Sequence, residues 1–187
     1  HNVENALAAI AVGSELMVPH AYLSAALETF SGADRRLQVC GDVSGVVVID
    51  DYAHHPTEIE AVLQTVRLRV PRRLRVVFQP HRYSRTRRLL DRFGEVLAKA
   101  DEVILTEVYA ANESPLSGAT SVDVAQAITK HGNVPVRLAK TFDEAVEIVT
   151  RDARPGDVVV TLGAGSIGAL PSRITEVLHT RCVGSSV

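Results

Sequence analysis

With 187 residues the chain has the length of one α/β domain plus a fragment of another, and 46% hydrophobic residues, 22% charged residues, 12 Gly and 8 Pro exclude the disordered, collagenous and disulfide-rich classes. The longest apolar run, residues 6–12, is far shorter than the roughly 20 residues that cross a bilayer, which argues against a membrane protein. The net charge of −2 hides a segregation: residues 67–92 hold ten Arg and one acid, Asp91, while the rest of the chain carries 10 bases and 21 acids. Such a run reads either as a nucleic-acid footprint or as a site for carboxylate and phosphate, and the acidic remainder favours the second. Cys40 and Cys182 stand far apart in no metal-ligand spacing, so two ordinary thiols in a reducing, cytosolic compartment are expected.

The first helical pattern is Ala6, Leu7, Ala9, Ile10 and Val12, with Asn2 placed to cap it and Gly13 to stop it. No basic n-region precedes it, so no signal peptide is expected, and a chain that opens on a helix cap reads as a piece of something longer. A second helix follows Pro19, with Leu23, Ala26, Leu27 and Phe30 on one face, and a domain boundary falls between residues 33 and 34. Beyond it, residues 37–40 and 46–49 read as a hairpin around the 41–45 turn. A helix begins at Pro56, with Ile59, Val62, Leu63 and Val66 inward. Strands at 74–78, 103–106, 136–138 and 158–162 then alternate with helices at 84–100, 120–131, 142–151 and 171–181. This alternation predicts an α/β fold: a doubly wound, mostly parallel sheet with an N-terminal hairpin strand, preceded by two helices. Ligands of such a sheet bind off the carboxyl ends of its strands.

Three chemistry-bearing segments fall just after predicted strands. The first, DDYAHHPTE at 50–58, packs two carboxylates, a phenol and two imidazoles into one strand-to-helix turn, although each has a structural use as turn or cap residue. Zinc ligation by His54, His55 and His81 is disfavoured, because adjacent histidines splay apart and no spaced Cys is near. The second, QPHRYSRTR at 79–87, places His81, Arg82 and Arg85 around a helix start that Ser84 is placed to cap, an arrangement suited to an anion. Arg87, Arg88 and Arg92 read as a solvated helix face. The third is Gly163, Gly165 and Gly168, a literal G-x-G-x-x-G. It follows the last strand, Pro171 interrupts the helix and only 19 residues remain after Gly168, so a dinucleotide fold is not expected. A tight turn bringing its amides and the Ser166 hydroxyl to a ligand, or a purely structural turn, is expected instead.

At these residues the chain resembles the C-terminal part of the Mur ligases. The resemblance is carried by HNVENALAA at 1–9, Arg36 in DRRLQ, DDYAHHPTEI at 50–59, QPHRYSRTR at 79–87 and TLGAGSIG at 161–168, and it runs over essentially the whole chain. It implies that residues 1–33 are the tail of a central ATP-binding domain and 34–187 a Rossmann-like C-terminal domain. It implies ATP-dependent joining of L-alanine to UDP-N-acetylmuramic acid through an acyl phosphate, in cytoplasmic peptidoglycan synthesis. Carried over position by position, Asn2 and Asn5 match residues near adenine, Arg36 one near the terminal phosphates and Asp51 one that holds ribose. Tyr52, His54, Arg82 and Arg85 match the amino-acid pocket, His81 and Ser166 are expected on the substrate side from their places in the two turns, and no catalytic residue is assigned. No G-x-x-x-x-G-K-[ST] occurs, so ATP and Mg2+ are expected to be held mostly outside this chain, and the missing domains of the same enzyme are its expected partners. No nucleic acid and no membrane are expected as partners. The alternatives are a ligase that adds a recycled tripeptide, or a stand-alone module that binds anions or nucleic acid through the 67–92 run.

Overall fold

The computed structural model describes residues 2–30, 32–69 and 71–184, which fall into two compact units, 1–33 and 34–187. The first unit holds α1 (Asn2–Glu15) and α2 (His20–Thr29). Gly13 lies within α1 and does not stop it: a Cβ there would come 2.5 Å from Leu23 Cδ2, so the glycine is where α2 approaches. Asn2 is itself within α1 rather than ahead of it as a cap, and its side chain lies outside the described residues.

The second unit is built on β1 (Gln38–Val43), β2 (Val46–Asp51), β3 (Arg73–Phe78), β4 (Glu102–Thr106), β5 (Val136–Ala139) and β6 (Asp157–Leu162). Their order in the sheet is β1-β2-β6-β3-β4-β5, with β1 antiparallel to β2 and all other pairs parallel. The hairpin is longer than its apolar pattern suggested. Strand β1 continues through Gly41 to Val43, with an irregularity between Val39 and Gly41, and the turn is only Ser44 and Gly45, at φ of 53° and 78°. Gly41 pairs with Val48 inside the strand, where a Cβ would meet the Thr175 methyl at 2.7 Å.

The connecting helices are α3 (Pro56–Arg67), α4 (Tyr83–Arg88), α5 (Leu90–Leu97), α6 (Ser121–His131) and α7 (Phe142–Arg151), with α8 (Leu170–Gly184) after β6. Strand alternation decides what each face buries. Leu74, Val76, Phe78, Val158, Val160, Val103 and Leu105 pack with Ile59 and Leu63 of α3, Phe93 and Leu97 of α5 and Ile128 of α6. Val77, Val48, Val159 and Ile104 pack on the other face with Val146 and Val149 of α7 and Ile174 and Leu178 of α8. The expected single helix over 84–100 is instead α4 and α5, bent at Leu89 (φ −111°, ψ 16°). The bend lets α5 lie so close to α6 that a Cβ on Gly94 would sit 2.5 Å from the Ala127 carbonyl oxygen. Pro171 does not interrupt a helix; it occupies the first turn of α8, where its missing N–H costs nothing.

The arginine run is divided by β3 into two groups about 20 Å apart along the strand. At the amino ends of the strands, Arg67 pairs with Asp101, Arg72 and Arg73 with Asp157, and Arg73 also with Asp152. Arg75 is fully buried, donating to Glu102 at 2.6 Å, to Asp152 at 2.9 Å and to the Val149 carbonyl at 2.6 Å. Much of the run is thus neutralised internally by acids distant in sequence, which weakens the stand-alone anion or nucleic-acid module. Removing Arg75 leaves the buried Glu102 carboxylate with only the half-exposed Arg137, which donates to it at 3.0 Å, and empties a fully buried site, so Arg75→Ala should cost about 3–5 kcal/mol of unfolding free energy. Arg72→Ala, at a side chain 46% exposed, should cost under about 1 kcal/mol. Urea unfolding of the two variants checks this; equal costs would contradict a buried role for Arg75.

Candidate functional site

The carboxyl ends of β2, β3, β4 and β6 open on one edge, and each strand exit contributes a shaped turn. After β2, Asp51 is 2% exposed and accepts from Ala53 N at 2.7 Å and Leu37 N at 2.8 Å. Burial pushes its carboxyl up against those two bonds. His55 then caps α3, its Nδ1 accepting from Thr57 N, while Glu58 accepts the backbone N–H of His54 and His55 at 3.1 and 3.2 Å. Burial pushes the Glu58 carboxyl up, but those bonds and the nearby His54 outweigh it and hold the group below the usual carboxylate range.

After β3, the Gln79 amide ties two turns together. Its Oε1 accepts from Ile167 N at 3.1 Å and its Nε2 donates to Ser166 Oγ at 3.3 Å. The glycine turn is correspondingly tight: a Cβ on Gly165 would lie 2.6 Å from Gln79 Oε1 and 2.7 Å from Tyr109 Cγ. Next, the Tyr109 amide donates to the Pro80 carbonyl and the Arg82 amide to the Tyr109 carbonyl, each at 2.8 Å, forming a short parallel bridge beyond the sheet. Arg82 adopts φ 70°, a left-handed conformation uncommon for a side chain of this size. Arg82, not Ser84, occupies the cap position of α4. Ser84 N and Oγ donate instead to Glu113, whose Oε1 is also 3.9 Å from Arg82.

These turns line up four rings. Tyr52 meets His54 edge-on at 5.3 Å, His54 lies 5.7 Å from His81, and His81 stacks on Tyr109 at 5.4 Å. Arg85 is 3.2 Å from His81 Nδ1, and Arg35 and Arg36 lie over the Tyr52 ring at 5.3 and 5.9 Å. Burial, reinforced by Arg85, His54 and Arg82, pushes the His81 imidazole below its ordinary value. Arg85 has no carboxylate partner among the described residues. The edge therefore presents guanidinium groups and neutral imidazole in the geometry of a receptor for a small anion.

Of the residues singled out from the sequence, Tyr52, His54, His81, Arg82 and Arg85 converge, and Arg36 faces the same ring. Ser166 is tied to Gln79 and Asp51 to the turn. Asn5 is in the first unit, as is Asn2. Arg35, Gln79, Tyr109 and Glu113 take part in the edge without a role that the sequence assigns to them, although Gln79 opens the second segment. Arg35 pairs with Asp50 at 2.6 Å and donates to the Gly163 carbonyl at 2.7 Å, so it, rather than its neighbour Arg36, joins β2 to the glycine turn. Among the described residues no three His, Cys, Asp or Glu side chains gather as a metal site, and no helix is long and apolar enough to cross a membrane. Cys40 is exposed on β1, its thiol pushed up by burial and by Asp50, and the Cys182 side chain lies outside the described residues.

The family model described as Mur ligase, glutamate ligase domain, matches residues 35–165. The UDP-N-acetylmuramate–L-alanine ligase of Solibacter usitatus is 45% identical over 98% of this chain and 39% of its own length. Among solved structures, the UDP-N-acetylmuramate–alanine ligase of Thermotoga maritima superposes with a TM-score of 0.78 at 30% identity, over 100% of this chain and 38% of that one. A murein peptide ligase from Psychrobacter arcticus does so with a TM-score of 0.70 at 27% identity, over 96% and 37%. The chain thus spans about two-fifths of the length of the curated relatives it matches.

The lowered His81 has a thermodynamic consequence. An unfolded histidine binds its proton as pH falls through about 6.5, whereas folded His81 does so only at lower pH, so this residue makes folding stability decline as pH drops below about 6.5. His81→Gln should flatten that decline, and unfolding midpoints from pH 8 to 5 measure it. An identical pH dependence in both proteins would contradict the shift.

Proposed function

The chain belongs to the Mur ligase family, and on that premise we propose that it is the part of an ATP-dependent ligase that receives the incoming amino acid, L-alanine, for addition to UDP-N-acetylmuramic acid. The observation that supports this is the convergence of Arg85, Arg82 and His81 on one edge, with Arg85 lacking an internal carboxylate and Arg82 only loosely paired at 3.9 Å. Two guanidinium groups there would hold the amino acid's carboxylate, leaving its amine directed at the activated sugar acid. Orienting a nucleophile in this way contributes several orders of magnitude in rate without further chemistry. The phosphoryl group that activates the sugar carboxylate comes from ATP. The exposed Asn5 and the Arg36 guanidinium, which makes no ion pair among the described residues, suit adenine and phosphate respectively, with Asn2 as a second adenine residue. Asp51 would reach ribose only with acceptor positions left over from its two backbone bonds.

We place the phosphate-cradling loop and the Mg2+ ligands in other domains of the same enzyme, and the reaction in the cytosol. Residues 1–33 would be the end of the ATP-binding domain. The isolated chain should then release no phosphate from ATP with L-alanine and the UDP-sugar.

In the full-length ligase, Arg82→Lys and Arg85→Lys should each raise the L-alanine requirement by about 10-fold to 150-fold, the equivalent of roughly 1.5–3 kcal/mol for a charge-assisted bond. Arg87→Ala and Arg88→Ala, on the exposed side of α4, should change it little. Steady-state titration of L-alanine at saturating ATP separates these outcomes, and equal small effects in all four would remove the carboxylate role. Turnover with a tripeptide in preference to L-alanine would move the assignment to the recycling ligase.

A further inference from the structure

The two histidines of the site differ in which nitrogen carries hydrogen, and their partners decide it. His54 Nδ1 lies 3.0 Å from the Tyr52 carbonyl and 3.6 Å from Glu58 Oε2. Both are acceptors, so the hydrogen is on Nδ1 and Nε2 holds a lone pair. His81 Nδ1 lies 3.2 Å from Arg85, which can only donate, so Nδ1 is the lone pair there and Nε2 bears the hydrogen. Side by side, with ring centroids 5.7 Å apart, the pair presents one acceptor and one donor. A free α-amino acid has the complementary ends on a single carbon: an ammonium that must lose a proton before it can attack, and a carboxylate that accepts hydrogen bonds.

Resting on the L-alanine reading above, we propose that His54 Nε2 is the base that deprotonates the incoming ammonium, while His81 Nε2–H joins Arg82 and Arg85 in holding the carboxylate. The ammonium gives one proton to His54, which passes it to solvent. The amine nitrogen then forms its bond to the acyl carbon as the carbon–oxygen bond to phosphate breaks, and the second nitrogen proton leaves with the phosphate. Glu58 is a positioning residue: with the Tyr52 carbonyl keeping the ring in this tautomer, its ionised carboxylate behind Nδ1 reinforces that tautomer and offsets the charge gained with the proton. The charged and titratable groups facing His54 are Glu58 from α3, Tyr52 with Arg35 and Arg36 beside it, and His81 with Arg85 behind it. Only Glu58 among them is an anion.

The test uses the full-length ligase and compares His54→Gln with the unaltered enzyme, with L-alanine and with hydroxylamine, an amine already neutral at pH 7. With L-alanine at pH 7 the variant should lose about 100-fold or more in kcat. The deficit should shrink as pH rises toward the range where the alanine amine deprotonates unaided, and it should be far smaller with hydroxylamine. Glu58→Gln should show a weaker deficit of the same pH-dependent kind. A loss equal at every pH and for both nucleophiles, or one confined to the KM for alanine, would overturn the assignment while leaving the L-alanine reading intact. An unaltered enzyme with no L-alanine-dependent turnover would overturn both.

Discussion

Two backbone hydrogen bonds beyond the end of the sheet, Tyr109 N–H to the Pro80 carbonyl and Arg82 N–H to the Tyr109 carbonyl, are the constraint on which the site depends. They lock the exit of β3 to the exit of β4 and lay the His81 and Tyr109 rings flat on one another. They also hold Arg82 in its left-handed conformation, so α4 starts at Tyr83 and Arg85, one turn further on, comes back to His81. From the other side, Gln79 clamps the glycine turn and Arg35 bridges that turn to Asp50. The edge is thus a set of strand exits cross-tied by backbone and amide bonds, the kind of support that keeps a binding geometry from loosening.

The division of the arginines follows from the same architecture. A continuous stretch of positive charge in sequence becomes two groups at opposite ends of β3 with opposite fates. At the amino end, arginines meet buried carboxylates of β4 and β6 and the carbonyls that close α7, so they hold the strands in place. At the carboxyl end, Arg82 and Arg85 are left with a loosely paired glutamate and a neutral imidazole, so their charge is available to a ligand. Position along one six-residue strand decides which arginine is structural.

Elements decided by short-range chemistry were legible in the sequence. Pro56 starts α3 and Thr120 caps α6 through a reciprocal bond with Asp123, because the partners lie within one turn of each other. The DDYAHHPTE and QPHRYSRTR segments stood out because a strand exit is where ligands of such a sheet bind, and the structure brings Tyr52, His54, His81 and Arg85 of the two segments together while spending Asp51, His55 and Glu58 on the turn and helix cap. What depends on contacts distant in sequence was not legible. The bend at Leu89 goes with the close approach of Gly94 to Ala127, a contact distant in sequence, and no Gly or Pro stands at the bend itself. Tyr109 and Glu113 sit in a loop without a motif and acquire their roles only through Pro80, Arg82 and Ser84. Arg35 and Arg36 are adjacent and chemically identical, and only the left-handed backbone at Arg35, with φ 58°, sends one of them to Asp50.

On the reading proposed above, this edge receives a small amino acid between two histidines held in opposite tautomers. Nitrogen-15 NMR of histidine-labelled full-length ligase tests it most directly, since the two ring nitrogens resonate differently with and without hydrogen. The account predicts hydrogen on Nδ1 of His54 and on Nε2 of His81 at neutral pH, with both rings shifting on addition of L-alanine and with His131 and His179 unmoved. Identical tautomers at the two positions, or rings indifferent to L-alanine, would contradict it.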